Sequence, residues 1–255
     1  AGCSGLGRGY ALSADAGTRN DWPHRFHDPG NTNAAPERPD SLTERWSERV
    51  KARLDRPVVL EGTVLTVATE PEDPAHVRVL AYDADAGDRE RDVELDGVRR
   101  ARIVAAVGGR AYVVGERIAG ADGERLYAIE TDGSIAWQFD AGRIAAVVVA
   151  ETAVLVSVRH GSVVALDADD GEHLARHHPA AWPGGRWLSD RTPTGRPAIG
   201  NGRIFAPFAR YDTDREDSYF EEEVVAFDAD GIVWRSSLGD VRFVDGVATI
   251  GETVY

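Results

Sequence analysis

The amino-acid sequence predicts an all-β fold built from a repeated four-stranded unit. Three observations predict it. Short apolar segments flank two-residue turns, a second motif ends in an acidic turn, and both features recur along the 255 residues. Repetition on this scale is typical of repeat architectures, in which each unit buries its apolar faces against its neighbours.

The first half of the unit is an apolar strand, a tight turn and a second apolar strand. It occurs five times, with the first turn residue at 61, 108, 150, 201 and 251, so the steps are 47, 42, 51 and 50 residues. Gly108-Gly109 and Asn201-Gly202 are residue pairs that a two-residue hairpin turn favours, because both positions need a positive φ. The pattern predicts five hairpins.

The second half of the unit places an alanine before an apolar residue, an acid and a turn glycine. Its four copies span 79–87, 126–133, 163–171 and 224–231. The acids Asp83, Asp167 and Asp228 are predicted to be structural, because aspartate side chains in turns accept hydrogen bonds from nearby backbone N–H groups. Trp137 and Trp234 follow two of the copies and are predicted to pack between units.

Two hairpins per unit give four short strands, which is one blade of a β-propeller. The sequence predicts four full blades and the start of a fifth. Since a closed ring needs complete blades, we expect the ring to continue beyond Tyr255. A five-bladed ring completed by a strand at Leu42–Ser47 is the alternative.

The repeat resembles that of PQQ-like (pyrroloquinoline-quinone-like) β-propeller proteins. Ala165-Leu166-Asp167 and the Ala128 to Trp137 segment fit its pattern, and a leader at 22–32 resembles the segment before the first blade in haloarchaeal and bacterial proteins of this type. The resemblance covers Asp21 to Tyr255. It implies a seven- or eight-bladed ring closed by an N-terminal strand, for which Leu42–Ser47 with Trp46 is the candidate. It also implies an architecture similar to the propeller lipoprotein of the outer-membrane barrel assembly machinery.

The resemblance includes quinoprotein dehydrogenases, whose cofactor site has a stacking tryptophan, a vicinal disulfide, Ca²⁺ ligands and an aspartate base. Cys3 is the only cysteine, so this chain cannot form a vicinal disulfide, and no cluster with Ca²⁺-like spacing stands out. The histidines at 173, 177 and 178 lie in a predicted strand and do not favour a metal site. We therefore predict no catalysis, cofactor or metal; the alternative is a dehydrogenase whose cofactor site lies in further blades.

The N-terminus predicts attachment to a membrane. Ala1-Gly2-Cys3, followed by small residues, is similar to the end of a lipoprotein signal, and Ala1 is not a translation start. We expect a lipidated Cys3 and an extracytoplasmic, membrane-anchored protein, the alternative being a lone cysteine in a terminal tail. The predicted organisation is a tether at 1–20, a leader that contains the ring-closing strand at 21–56, and blades at 57–255.

The charge balance limits the class of partner. With 43 acidic against 29 basic residues the net charge is −14, which excludes the basic footprint that nucleic acids need. Only Lys51 is a lysine, and this acidic, arginine-rich composition favours a halophilic origin. No apolar run reaches the length of a membrane span.

The candidate binding site is the irregular segment at 177–197, which is too long for a hairpin turn. It carries Trp182, Arg186, Trp187 and Arg191. Tryptophan and arginine dominate recognition hot spots, so these four residues are predicted to contact a protein or another ligand on a loop face of the propeller. The alternative is that the tryptophans cover the end of a blade.

Overall fold

The computed structural model describes residues 43–118, 123–159, 162–177, 191–212, 219–228, 230–239, 246–250 and 253–255. Its regular elements are all strands within these ranges, and no described segment is a helix long and apolar enough to cross a membrane. The chain divides into two compact units, whose described parts are residues 43–142 and 143–255.

The first unit contains two antiparallel sheets, blade 1 and blade 2. Blade 1 has the order β1-β3-β4-β5 with β2 also paired to β3, and blade 2 has the order β6-β7-β8-β9. The strands are β1 Arg53–Leu54, β2 Val58–Leu60, β3 Thr63–Thr69, β4 Val77–Asp83, β5 Arg89–Glu94, β6 Val98–Val107, β7 Arg110–Arg117, β8 Glu124–Glu130 and β9 Ile135–Ala141.

The second unit contains blades 3 and 4 and one further hairpin. Blade 3 has the order β10-β11-β12-β13, and blade 4 has the order β14-β16-β17-β18 with β15 also paired to β16. The strands are β10 Ile144–Val149, β11 Ala153–Val158, β12 Ser162–Asp167, β13 His173–His177, β14 Arg191–Pro193, β15 Ala198–Gly200, β16 Arg203–Asp212, β17 Tyr219–Asp228, β18 Gly231–Ser237, β19 Thr249–Ile250 and β20 Thr253–Val254.

The predicted all-β fold with four-stranded blades is confirmed. Each full repeat forms one antiparallel sheet, and the fifth copy begins the β19–β20 hairpin. The tight turns have the expected backbone: Glu61 and Asn201 have φ of 48° and 50°, and the glycines after them have φ of 77° and 66°. Two consecutive positive φ angles match the right-handed twist of the flanking strands.

Burial follows strand position within a blade. The middle strands β11 and β12 are almost wholly buried, while the outermost strand β5 is almost wholly exposed. Strands packed on both faces consist of continuous apolar residues, which explains why the middle strands show no polar alternation. The charged residues of β5 protect an open sheet edge from pairing with other chains.

The first strand is interrupted in two blades, between β1 and β2 in blade 1 and between β14 and β15 in blade 4. In blade 1 a residue at the interruption bonds to blade 2. Asp55 lies between β1 and β2, and its Oδ2 accepts a hydrogen bond of 3.1 Å from the backbone N–H of Ile103 in β6. Thr66 Oγ1 donates to the Asp55 carbonyl at 2.9 Å, which fixes the break. In blade 4 the carbonyl of Arg196, between β14 and β15, accepts from the Val247 N–H at 3.1 Å.

Replacing Asp55 with alanine is expected to lower the free energy of unfolding by about 1–3 kcal/mol, because the buried Ile103 N–H loses its acceptor. Urea denaturation followed by circular dichroism measures the change. Asp55→Asn keeps an acceptor oxygen and is expected to lose less. Equal losses in the two variants would contradict the role given to this hydrogen bond.

The predicted strand at Leu42–Ser47 is not found at residues 43–47. Residues 43–50 have no regular secondary structure, and the first strand is β1, which pairs with Ala68 and Thr69 of β3. The reason is side-chain packing: the Trp46 ring stacks on Tyr82 at a centroid distance of 6.1 Å, and its Nε1 donates to the Ala84 carbonyl at 2.9 Å. The leader thus covers one face of blade 1 through its indole. The predicted role of the leader in closing the ring stays a prediction.

Candidate functional site

Most of the predicted binding residues lie outside the part of the chain that the structure describes. This applies to Cys3, Trp182, Arg186 and Trp187. Arg191 is the first residue of β14, where its backbone lies opposite Arg210 of β16. The proposed contact of these residues with a ligand stays a prediction.

The repeat aspartates lie in the turns between the third and fourth strands of their blades. One carboxylate oxygen of each accepts hydrogen bonds from backbone N–H groups two or three residues later. Asp83 accepts from the N–H groups of Asp85 at 2.9 Å and Ala86 at 2.6 Å. Asp167 accepts from the N–H of Asp169 at 2.7 Å. Asp228 accepts from the N–H groups of Asp230 at 2.9 Å and Gly231 at 3.1 Å. Such bonds hold the turn in place.

The repeat tryptophans complete a row of three side chains across adjacent strands. In blade 2 the row is Tyr112, Ala128 and Trp137, and in blade 4 it is Phe205, Ala226 and Trp234. The ring centroids of the aromatic pair are 5.9 Å apart in blade 2 and 5.7 Å apart in blade 4. The small central alanine leaves room for the indole to reach the aromatic ring.

Blades 1 and 3 have no tryptophan in this row. The row is Leu65, Ala81 and Arg91 in blade 1, and Leu155, Ala165 and Ala175 in blade 3. Blades 1 and 3 therefore have less apolar side-chain volume on the face toward the next blade. The next blade must fill the remaining space, or a cavity is left.

The space next to blade 3 is filled by blade 4. Phe208 and Phe227 are completely buried in one cluster with Leu155, Ala165 and the partly buried Ala175. The Phe227 ring lies 6.0 Å from that of Phe208 and 5.3 Å from that of His177 on β13. Aromatic side chains of blade 4 thus replace the missing indole of blade 3.

The space next to blade 1 is filled only in part. Blade 2 presents small or medium residues there, namely Gly109, Ala111 and Ile129, and a pocket of about 100 Å³ remains. Its blade 1 wall includes Leu65 and Arg91 from the row described above. This pocket is the candidate site, since concave apolar surface with a few polar groups is typical of ligand sites.

Charged groups line the edge of the pocket. Arg91 is 41% exposed, with Nη1 3.8 Å from a carboxylate oxygen of Glu90. Arg110 Nε donates to Glu130 Oε1 at 2.7 Å, and both side chains are partly buried. Glu61 lies in the β2–β3 turn. Two arginines and two glutamates therefore line the pocket, and their formal charges balance.

The pocket wall is close-packed at one point. A Cβ atom at Gly133 would lie 2.8 Å from Val93 Cγ2, well inside van der Waals contact. The turn after β8 therefore rests directly on β5, and a side chain at position 133 would push the two blades apart. This close contact between Gly133 and Val93 therefore forms one boundary of the pocket.

Among the described residues of the second unit, His177 is a buried titratable group with a shifted pKa. Burial lowers its pKa below the ordinary value of 6.5, and nearby Asp228 opposes this shift. The folded state therefore binds fewer protons than the unfolded state in mildly acidic solution. The contribution of His177 to stability is complete above about pH 6.5 and is lost as the pH falls through the lowered pKa.

We expect the free energy of unfolding of the wild type to fall between pH 7.5 and pH 5 more steeply than that of His177→Phe. Phenylalanine keeps a ring beside Phe227 and does not titrate. Urea denaturation of both proteins at several pH values measures the difference. Parallel pH dependences would contradict the assignment of the buried, uncharged imidazole.

Among the described residues, no group of three or more His, Cys, Asp or Glu side chains is placed to hold a metal ion.

The pocket between blades 1 and 2 was not predicted from the sequence. The available signal was the alignment of the repeats, which places Arg91 where blades 2 and 4 have tryptophan.

The family is shown by a match to a family model of PQQ-like repeats. The model, described as outer membrane protein assembly factor BamB, matches residues 39–211, which is more than half of the chain. The chain belongs to this BamB family. The four-stranded blades are consequently blades of a PQQ-like β-propeller, as the repeat predicted. No curated protein sequence matches this chain.

Three of the solved structures with a similar fold are dehydrogenases. A europium-containing methanol dehydrogenase has a TM-score of 0.62 at 16% identity, over 86% of this chain and 49% of that one. Quinohemoprotein alcohol dehydrogenase from Comamonas testosteroni has 0.59 at 18%, over 87% and 41%, and ADHIIG from Pseudomonas putida HK5 has 0.58 at 17%, over 86% and 40%. This BamB-family chain thus spans half or less of their length, and the likeness shows the propeller fold alone.

Proposed function

We propose that this BamB-family propeller is a binding module without catalysis, tethered to the outer side of a membrane through Cys3. The observation that carries the proposal is the family match at 39–211, whose description names an assembly factor. An assembly factor works by contacting other polypeptides. The proposed contacts are Trp182, Arg186 and Trp187, together with Arg191 at the start of β14, because aromatic and arginine side chains dominate protein-binding hot spots.

A quinoprotein dehydrogenase is the second candidate, favoured by the fold likeness to the three dehydrogenases. Among the residues that the structure describes, the tryptophans and aspartates considered for a quinone site have structural contacts instead. One cysteine cannot form a vicinal disulfide. Trp137 and Trp234 pack against aromatic rings of their own blades, and the repeat aspartates are bonded within their turns.

Site-specific cross-linking in the host cell tests the binding role. A photoreactive amino acid is placed at position 182, and the same group at position 100 is the control, because Arg100 is a highly exposed residue far from that loop in the sequence. We expect one discrete cross-linked polypeptide from position 182 and none from position 100. Equal labelling from both positions, or none from either, would contradict a specific loop-face partner.

The tether is tested separately. Mass spectrometry of the native N-terminus is expected to find a diacylglycerol group on the sulfur of Cys3, and Cys3→Ser is expected to release the protein from the membrane fraction. An unmodified thiol on membrane-bound native protein would rule out this anchor while leaving the binding role open.

A further inference from the structure

We propose that the pocket between blades 1 and 2 binds the indole ring of a tryptophan on a partner polypeptide. This inference rests on the proposed binding function, for which it names a second contact and its chemistry. Both walls of the pocket belong to the same compact unit.

The first step is the repeat itself. In blades 2 and 4 the place beside the central alanine of the row is taken by the chain's own indole, and the equivalent place in blade 1 has Arg91. The blade 1 row otherwise keeps the same small alanine, Ala81, which is buried at the pocket wall. The local surface of blade 1 is therefore shaped for an indole that the chain does not supply.

The second step is that the side chains of blade 2 fill this space only in part. Next to blade 3, the missing indole is replaced by Phe227 of blade 4. The residue of blade 2 that corresponds to Phe227 is Ile129, which pairs with Ala111 one position before the end of the β7–β8 pairing, and its neighbours Gly109 and Ala111 are small. A pocket of about 100 Å³ is left, and its opening allows the rest of a larger side chain to extend outward.

The third step is complementarity between the pocket edge and an indole. The charges of Arg91, Arg110, Glu61 and Glu130 balance, which favours a neutral ligand over an ionic one. A guanidinium such as that of Arg91 is attracted to an aromatic face, most strongly to that of tryptophan. A carboxylate such as Glu130 can accept a hydrogen bond from the indole N–H. An aliphatic side chain would use neither group.

Ligand-observed NMR with N-acetyl-tryptophanamide tests the proposal on the intact protein. We expect saturable, weak binding, with N-acetyl-leucinamide binding at least several-fold more weakly. Arg91→Trp fills the pocket with an indole of the protein itself, so it should abolish ligand binding and raise the melting temperature. Arg89→Trp is the matched control on the same strand, since Arg89 pairs with Tyr82 outside the row and does not line the pocket, and it should leave binding unchanged.

Arg91→Gln keeps an aliphatic stem at this partly exposed position and removes the cation, so it is expected to fold and to weaken binding by about two- to fivefold. This variant keeps the proposal testable if Arg91→Trp does not fold. Absence of saturable binding to the folded wild type, equal binding of the leucine ligand, or unchanged binding in both Arg91 variants would overturn the proposal.

The two proposals can fail independently. A cross-linked partner at position 182 together with a pocket that binds no indole would overturn this inference and leave the binding role in place. Indole binding that responds to the Arg91 variants, with no partner found by cross-linking, would overturn the proposed loop-face partner instead.

Discussion

Phe227→Ala is expected to lower the free energy of unfolding by about 3–5 kcal/mol, as for other completely buried phenylalanines. Phe227 has no exposed surface and contacts the rings of Phe208 and His177. It also fills the space that blade 3 leaves open, because the blade 3 row ends in Ala175 instead of tryptophan. Removing the ring would leave a cavity between two blades that neither can close. Urea denaturation of the whole chain measures the loss.

Ile135→Ala is the matched control for this substitution. Ile135 is also a large apolar residue in a strand, but it is 46% exposed, so its replacement is expected to change stability by no more than about 0.5 kcal/mol. Adding Ala175→Trp to Phe227→Ala is expected to recover part of the lost stability by restoring the repeat row. A loss below about 1 kcal/mol for Phe227→Ala alone would contradict the compensation between blades 3 and 4.

Gly87→Ala is expected to destabilise the protein by about 2–3 kcal/mol, which combines backbone strain with displacement of the leader. Gly87 has φ of 78°, a conformation that costs a side chain about 1–2 kcal/mol. Its added Cβ would also lie 2.6 Å from ring atoms of Trp46, so the indole would have to leave its position on Tyr82. The change is measured by thermal and urea unfolding.

Gly62→Ala separates the two effects. Gly62 has nearly the same φ, 77°, but no atom lies within 4 Å of its added Cβ, so this variant feels the backbone strain alone. We expect Gly87→Ala to cost more than Gly62→Ala, and the difference to vanish in a Trp46→Ala background. If the two glycine variants are equally destabilised with Trp46 present, the indole does not hold the leader on blade 1.

The repeated part of the fold could be predicted because its signals are local. The turn at Asn201 is determined by two residues that accept positive φ, and the Asp83 turn by a carboxylate that reaches backbone N–H groups two and three residues on. The break at Asp55 could not be predicted in this way. It depends on a hydrogen bond to Ile103, 48 residues later, which no short-range pattern contains.

The leader and the pocket depend on tertiary contacts in the same manner. Trp46 was assigned to a strand because it matched the repeat tryptophan, yet its indole packs on Tyr82 without any strand around it. The substitution of Arg91 for tryptophan is visible in the sequence. Whether it leaves a pocket is decided by the facing blade, which offers Ile129 here and Phe227 at the corresponding place beside blade 3.

The central claim is that this BamB-family propeller binds polypeptides and does no chemistry. The most direct test adds pyrroloquinoline quinone and Ca²⁺ to the native protein isolated from its host, and records the quinone absorbance and the reduction of an artificial dye with a panel of alcohols. The proposed function predicts no stoichiometric quinone binding and no dye reduction above that of the buffer. Stoichiometric binding with turnover would contradict it and establish a quinoprotein dehydrogenase.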